Sequence, residues 1–198
     1  MNGDGQPVAK DLTARYAESK RLVDAAQAAE AERILHDIWS ANPRETQALV
    51  GLGTIAAGAG NHDLAVNRMA SALAVDPECV PALCWMSYLF RLKGQLAASR
   101  GYAEKAVALE PNNPVTHIAL ARCLKAQGLV AEAVASLRTA VSLDPHNPAP
   151  MYELAESMMG VRFERDAVEI LERAVSLSPN PEGLLRLASL ELELDQLG

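Results

Sequence analysis

Apolar residues along this chain recur at three- and four-residue steps, and the same set of steps returns every 34 residues. Leu120, Ala121 and Leu124 make one stripe; Ala133, Leu137 and Ala140 make a second. Such steps place side chains on one face of an α-helix, so each stripe predicts an amphipathic helix. One period earlier the stripes read Met86, Ser87, Phe90 and then Ser99, Ala103, Ala106. Two periods earlier they read Leu52, Gly53, Ala56 and then Ala65, Met69, Ala72. One period later they read Leu154, Ala155, Met158 and then Ala167, Leu171, Ala174. Gly60, Gly94 and Gly128 stand between the two stripes, where a helix C-terminus can require positive φ. Pro43, Pro77, Pro111, Pro145 and Pro179 follow the second stripe. Each ends its helix, because proline removes a donor and restricts the residue before it.

A fixed period of this length means a stacked repeat array. The spacing predicts helix pairs near 12–41, 46–75, 80–109, 114–143 and 148–177, then one helix near 182–195. The small residues Gly53, Ser87, Ala121 and Ala155 on first helices let two antiparallel helices approach closely. Ala72, Ala106, Ala140 and Ala174 do the same on second helices.

This order of residues resembles the tetratricopeptide repeat, a 34-residue helix-turn-helix with the signature W-x-x-L-G-x-x-Y, A-x-x-x-F, P. The resemblance covers roughly residues 12 to 198. It implies an all-α fold, a right-handed superhelical solenoid of about five stacked helix pairs plus a C-terminal helix. The units run about 12–45, 46–79, 80–113, 114–147 and 148–180, with a partial one at 181–198; residues 1–11 are expected to be disordered.

The ends depart from the pattern. The first helix carries Arg15, Glu18 and Ser19 where later units carry apolar or small residues, as an N-terminal cap with a wet outer face would. In the fifth unit Gly160 comes seven residues before Ala167, where other units have five, so the loop around Phe163 is expected to be reshaped. After Pro179 the linker is one residue short; allowing for that, Leu187-Ala188 matches Leu120-Ala121. Helix 182–197 is then either a lone C-terminal cap or the start of a unit that continues beyond Gly198. Its many leucines leave little polar face, which also opens self-association through this helix.

Composition narrows the setting. Of 198 residues 49% are apolar and 4% aromatic, and the net charge is −7, which argues against non-specific nucleic-acid binding. The three cysteines, Cys79, Cys84 and Cys123, form no CxxC pair, and a reduced, cytoplasmic compartment is the simplest expectation. The N-terminus has neither a basic start nor an apolar core, so it does not read as a secretory signal, and no apolar run approaches a membrane span.

No constellation of residues points to catalysis, a cofactor or a metal. GLGTIA at 51–56 matches a loose dinucleotide fingerprint, but that motif needs a strand before it and a βαβ unit around it. His36, His62, His117 and His146 are scattered over different units, none three or four residues from another His or Cys. Cys84 and Cys123 have no evident base beside them. The chain is therefore expected not to be an enzyme.

Two functions remain. The resemblance implies a protein-interaction scaffold that holds a peptide or partner helix in its concave groove. The alternative, by analogy of fold, is the accessory repeat domain of a larger enzyme such as a glycosyltransferase or sulfotransferase, recruiting substrate or dimerising. In this fold the first helices line the groove. The in-register positions are Tyr16 and Lys20, then Val50 and Thr54, then Cys84, Tyr88 and Arg91. Ile118, Arg122 and Lys125 follow, then Tyr152, Glu156 and Met159. Relatives that clasp a peptide carboxylate use lysine and asparagine at several of these places; the asparagines are absent here. The candidate groove residues are thus Tyr88, Arg91, Ile118, Arg122, Lys125, Tyr152 and Glu156. Their basic cluster suits an acidic, amphipathic segment, unless the cations pair with Glu156 across the groove.

Overall fold

The computed structural model describes residues 5–24, 26–159, 164–179 and 181–197. Among them are eleven helices and no strand: α1 Gly5–Asp24, α2 Ala28–Ala41, α3 Thr46–Gly58, α4 His62–Val75, α5 Val80–Leu92, α6 Leu96–Leu109, α7 Pro114–Ala126, α8 Val130–Leu143, α9 Pro148–Met159, α10 Glu164–Leu177 and α11 Pro181–Leu197. Odd-numbered helices are the first of each pair, even-numbered ones the second. The architecture is an all-α helical repeat solenoid. It divides into two compact units, Met1–Leu89 and Phe90–Gly198.

One turn, repeated, sets the helix boundaries. Gly60, Gly94 and Gly128 hold φ of 77°, 72° and 78°. That conformation aims the amide of Gly60 at the Ala57 carbonyl (3.0 Å) and the next amide, Asn61, at the Ala56 carbonyl (2.9 Å). Gly94 and Gln95 repeat the two bonds to Arg91 and Phe90, as Gly128 and Leu129 do to Lys125 and Leu124. Carbonyls left over at a helix end are satisfied this way. Ala26 stands at the equivalent place after α1, also at positive φ (58°), and with Gln27 it makes the same two bonds. Second helices end alike: the amides of Asn42, Asp76, Glu110, Asp144 and Ser178 each reach back four residues, and proline comes next.

The predicted stripes form the core. Ala65, Met69 and Ala72 of α4 are fully buried, as are Ala133, Leu137 and Ala140 of α8 and Ala167, Leu171 and Ala174 of α10. Gly53 is a close approach in the first unit. A Cβ there would lie 2.7 Å from Met69 Cε and 3.2 Å from Arg68 Cβ, so a side chain at this position would have to displace its α4 neighbours. Ser87, Ala121 and Ala155 fill the equivalent positions and are buried. The GLGTIA stretch is therefore helix interior.

Two features differ from the sequence-based expectation. Helix α1 reaches back to Gly5, into the stretch expected to be disordered; Pro7 falls in its first turn, where a missing amide hydrogen breaks no bond. Residues 1–4, and the loop with Gly160 and Phe163, lie outside the described residues. Ser19, assigned to a wet cap face, is buried in the small-residue position that Gly53 takes in the next repeat, and its hydroxyl donates to the Tyr16 carbonyl (2.9 Å).

Candidate functional site

In the second unit the candidate residues other than Arg91 sit on α7 and α9. Ile118 and Tyr152 are half-buried; Arg122, Lys125 and Glu156 are exposed. The two α7 cations do not stand alone. Arg122 Nε donates to both oxygens of Glu153, at 3.1 and 3.0 Å, and a second guanidinium nitrogen joins the same carboxylate. Lys125 Nζ donates to Glu156 Oε2 at 2.8 Å. Each pair spans 31 residues, from one first helix to the next. The hydrogen bond from Lys125 holds the Glu156 carboxyl below its usual value. Partial burial works against that, while the charges of Lys125 and Arg186 add to it.

Tyr152 closes one end of this surface. Its hydroxyl donates to the Ser178 carbonyl (2.8 Å), and its ring lies against the α11 backbone at Gly183, where a Cβ would come 2.6 Å from Cε1. Tyr152, Glu153, Glu156, Pro181, Gly183 and Arg186 border a cavity of about 550 Å³. Arg186 in turn pairs with Glu182 (2.7 Å). The surface is thus a row of alternating charges rather than a basic patch. Two of its members, Glu153 and Arg186, escaped the sequence reading. The signal for Glu153 was the spacing: an acid stands 31 residues after each α7 cation.

Arg91 is half-buried near the end of α5. Tyr88 belongs to the first unit, where its ring meets Trp85 edge-on, 5.5 Å between centroids at 87°. That unit has its own hollow, about 470 Å³, and the in-register positions Tyr16, Lys20, Val50 and Thr54 all border it, with Val23 and Ile55. The Tyr16 hydroxyl is buried and completes no hydrogen bond of good geometry, although the Glu45 carboxylate lies close. Burial pushes the phenol well above its ordinary value, and the negative charge of Glu45 adds to that.

His117 shares its register position with Leu83 and Met151; its ring Nε2 lies 2.7 Å from the Pro111 carbonyl. Cys79 and Cys84 are half-buried and Cys123 is buried. Among the described residues, no group of three or more His, Cys, Asp or Glu is placed to hold a metal ion, and no helix is long and apolar enough to cross a membrane.

A family profile described as tetratricopeptide repeat matches residues 16–66 and 50–114, and a second of the same description matches 91–139. The chain belongs to the tetratricopeptide repeat family. Tetratricopeptide proteins are in general non-catalytic scaffolds for protein interaction. No curated protein matches this sequence significantly. Among solved structures, a thermophilic tetratricopeptide protein of Thermus thermophilus is similar at 19% identity, over 91% of this chain and 98% of that one, with a TM-score of 0.78. A chain of the Cut9–Hcn1 hetero-tetramer of the APC/C is similar at 17% identity over 90% of this chain and 36% of its own length, with a TM-score of 0.79. YrrB, described as a tetratricopeptide protein with an unusual peptide-binding site, is similar at 16% identity, over 88% and 90%, with a TM-score of 0.62. At these identities the likeness is one of fold.

Proposed function

We propose that this tetratricopeptide chain holds a segment of a partner protein, a peptide or a helix, on the exposed face of its first helices. The observation that carries the reading is that the in-register positions border hollows in both units: Tyr16, Lys20, Val50 and Thr54 in one, Tyr152 and Glu156 in the other. Ile118 and Tyr152 supply apolar anchors beside charged groups, the combination by which helical grooves bind and orient amphipathic segments. YrrB, alike in fold, carries a peptide-binding site, which supports the reading by analogy.

The ion pairs refine the partner. An acidic segment competes with Glu153 and Glu156 for Arg122 and Lys125, whose side chains are 49% and 43% exposed. The partner in this reading is acidic and amphipathic, with apolar side chains that supply most of the affinity and acids that set its register. Selection of a random peptide library on the purified chain, followed by calorimetry of the enriched peptides, tests this. Enriched sequences should combine acidic and large apolar residues, and Arg122→Gln with Lys125→Gln should weaken them about tenfold, which corresponds to ~1.4 kcal/mol. Peptides without acids that bind both proteins equally would refute the acidic partner. Peptides indifferent to changes at every first-helix position would refute the groove itself.

A further inference from the structure

The hollow of the first unit owes its depth to two small residues. Ala17 of α1 and Gly51 of α3 share one register position, 34 residues apart, and both border it. In later repeats that position passes to Trp85, Ala119 and Glu153, so only α1 and α3 are neighbouring first helices with a small residue on both sides. A Cβ at Gly51 would lie 2.8 Å from Leu35 Cδ1, so it is the missing side chain that lets the core residue Leu35 reach the floor. The volume of about 470 Å³ falls within the range of ligand pockets, roughly 300–1,000 Å³. Val23, Val50, Ile55 and the Tyr16 ring make the walls apolar. Steps of four and three put Tyr16, Lys20 and Val23 on one face of α1, and Val23 at the mouth is 39% exposed. Lys20 is the one charged residue among the described residues that border the hollow, and it forms no ion pair with another described residue.

We infer that this hollow seats a large apolar side chain of the bound segment, with an acidic side chain of the same segment placed on Lys20. The inference rests on the groove reading above and assigns that segment's anchor to the first unit. Charge and shape choose the occupant. Apolar walls over an apolar floor reward an apolar group that leaves water. A carboxylate at Lys20 meets a cation that no neighbouring acid occupies, whereas at Arg122 and Lys125 it competes with Glu153 and Glu156. A basic segment would meet repulsion at Lys20 and no compensating acid in the hollow. The mouth is broad: Ala17, Lys20 and Val23 are all exposed along it. A free small molecule would stay largely wet there, while a peptide side chain enters with the rest of its segment lying over α1 and α3. Lys20 stands between Tyr16 and Val23 on the same face, so the acid and the anchor are near neighbours in the segment.

Peptides enriched from a random library on the intact chain, then measured by calorimetry against wild type and variants, test this. The enriched sequences should share one large apolar residue with an Asp or Glu nearby. Ala17→Phe, at an exposed position, puts a ring into the hollow and should weaken them about tenfold or more. Lys20→Glu should weaken them about tenfold in dilute buffer and less as salt rises. Changing the peptide's acid to lysine should restore its binding to the Lys20→Glu chain, a reciprocal recovery that a merely disturbed fold would not give. That charge exchange decides the matter even if Ala17→Phe unfolds the repeat. Peptides that lose affinity to Arg122→Gln with Lys125→Gln, yet bind the Ala17→Phe and Lys20→Glu chains as they bind wild type, overturn this anchor and leave the groove reading standing. A library that enriches no peptide overturns both. Decanoate held through Lys20 by a chain that enriches no peptide would give the hollow to a free amphiphile instead.

Discussion

Ala26 and Gly60 stand 34 residues apart at the same turn of consecutive repeats, and both hold positive φ, 58° and 77°. Glycine adopts that conformation freely; alanine pays about 1 kcal/mol for it. Ala26→Gly should therefore raise stability by roughly 0.5–1 kcal/mol, read as a higher urea midpoint with an unchanged slope. Gly94→Ala should cost about as much. Nothing lies within 4 Å of a Cβ built at Gly94, so the loss is conformational and not steric. Equal midpoints for Gly94→Ala and wild type would refute this account of the turn.

Ala140 and Ala135 lie on the same helix, one buried and one exposed. Ala140→Phe forces a ring between packed backbones and should cost at least ~1–3 kcal/mol. Ala135→Phe should stay within about 0.5 kcal/mol of wild type. Thermal unfolding of the two variants side by side decides it; matching melting temperatures would place α8 in a different register.

The Glu156 carboxyl is held below its usual value chiefly by the Lys125 hydrogen bond. A group whose pKa falls on folding stabilises the fold above its unfolded value, about 4.3 for glutamate, and that contribution is lost as pH drops through the lower folded value. The pair is largely exposed, so Glu156→Gln should cost less than ~1 kcal/mol at neutral pH. The difference from wild type should shrink in added salt and vanish in acid, once the carboxyl is protonated in the folded chain as well. A difference that persists in acid would mean that Glu156 acts through packing instead.

Tyr16 titrates in the opposite sense. Its phenol is raised above the ordinary value of about 10, first by burial and then by Glu45. The stability it gives is complete below pH ~10 and drains away as pH rises from there toward the folded pKa, because the unfolded chain ionises first. Wild type should thus lose stability in alkali faster than Tyr16→Phe does. Parallel alkaline unfolding curves would show that the hydroxyl is not shielded.

Much of this was readable from spacing. The proline period marked where second helices stop, the glycines marked the left-handed turns, and the small residues marked the close approaches. What escaped has physical reasons. Ala26 takes a glycine's conformation without the glycine that would have advertised it. Leu190 looks like one more surface leucine on α11, yet it is only 1% exposed, so a charge there would disturb the fold. The pairing of Arg122 with Glu153 follows the same 31-residue spacing as Lys125 with Glu156, but Glu153 lies off the groove positions and so was passed over. Pairing of a groove cation with Glu156 was legible, because both residues fall on groove positions.

The turn at Gly60, Gly94 and Gly128 also bears on how quickly the chain finds its structure. Its two hydrogen bonds close over three and five residues, and the helices that pack most extensively are consecutive in the chain, α3 on α4, α7 on α8, α9 on α10. Closing such short loops loses little chain entropy, so the search is local. Each hairpin can nucleate by itself and then template its neighbour. A proline or a broken turn in one repeat should therefore stall growth at that point and leave a folded remnant on either side, instead of abolishing folding everywhere at once.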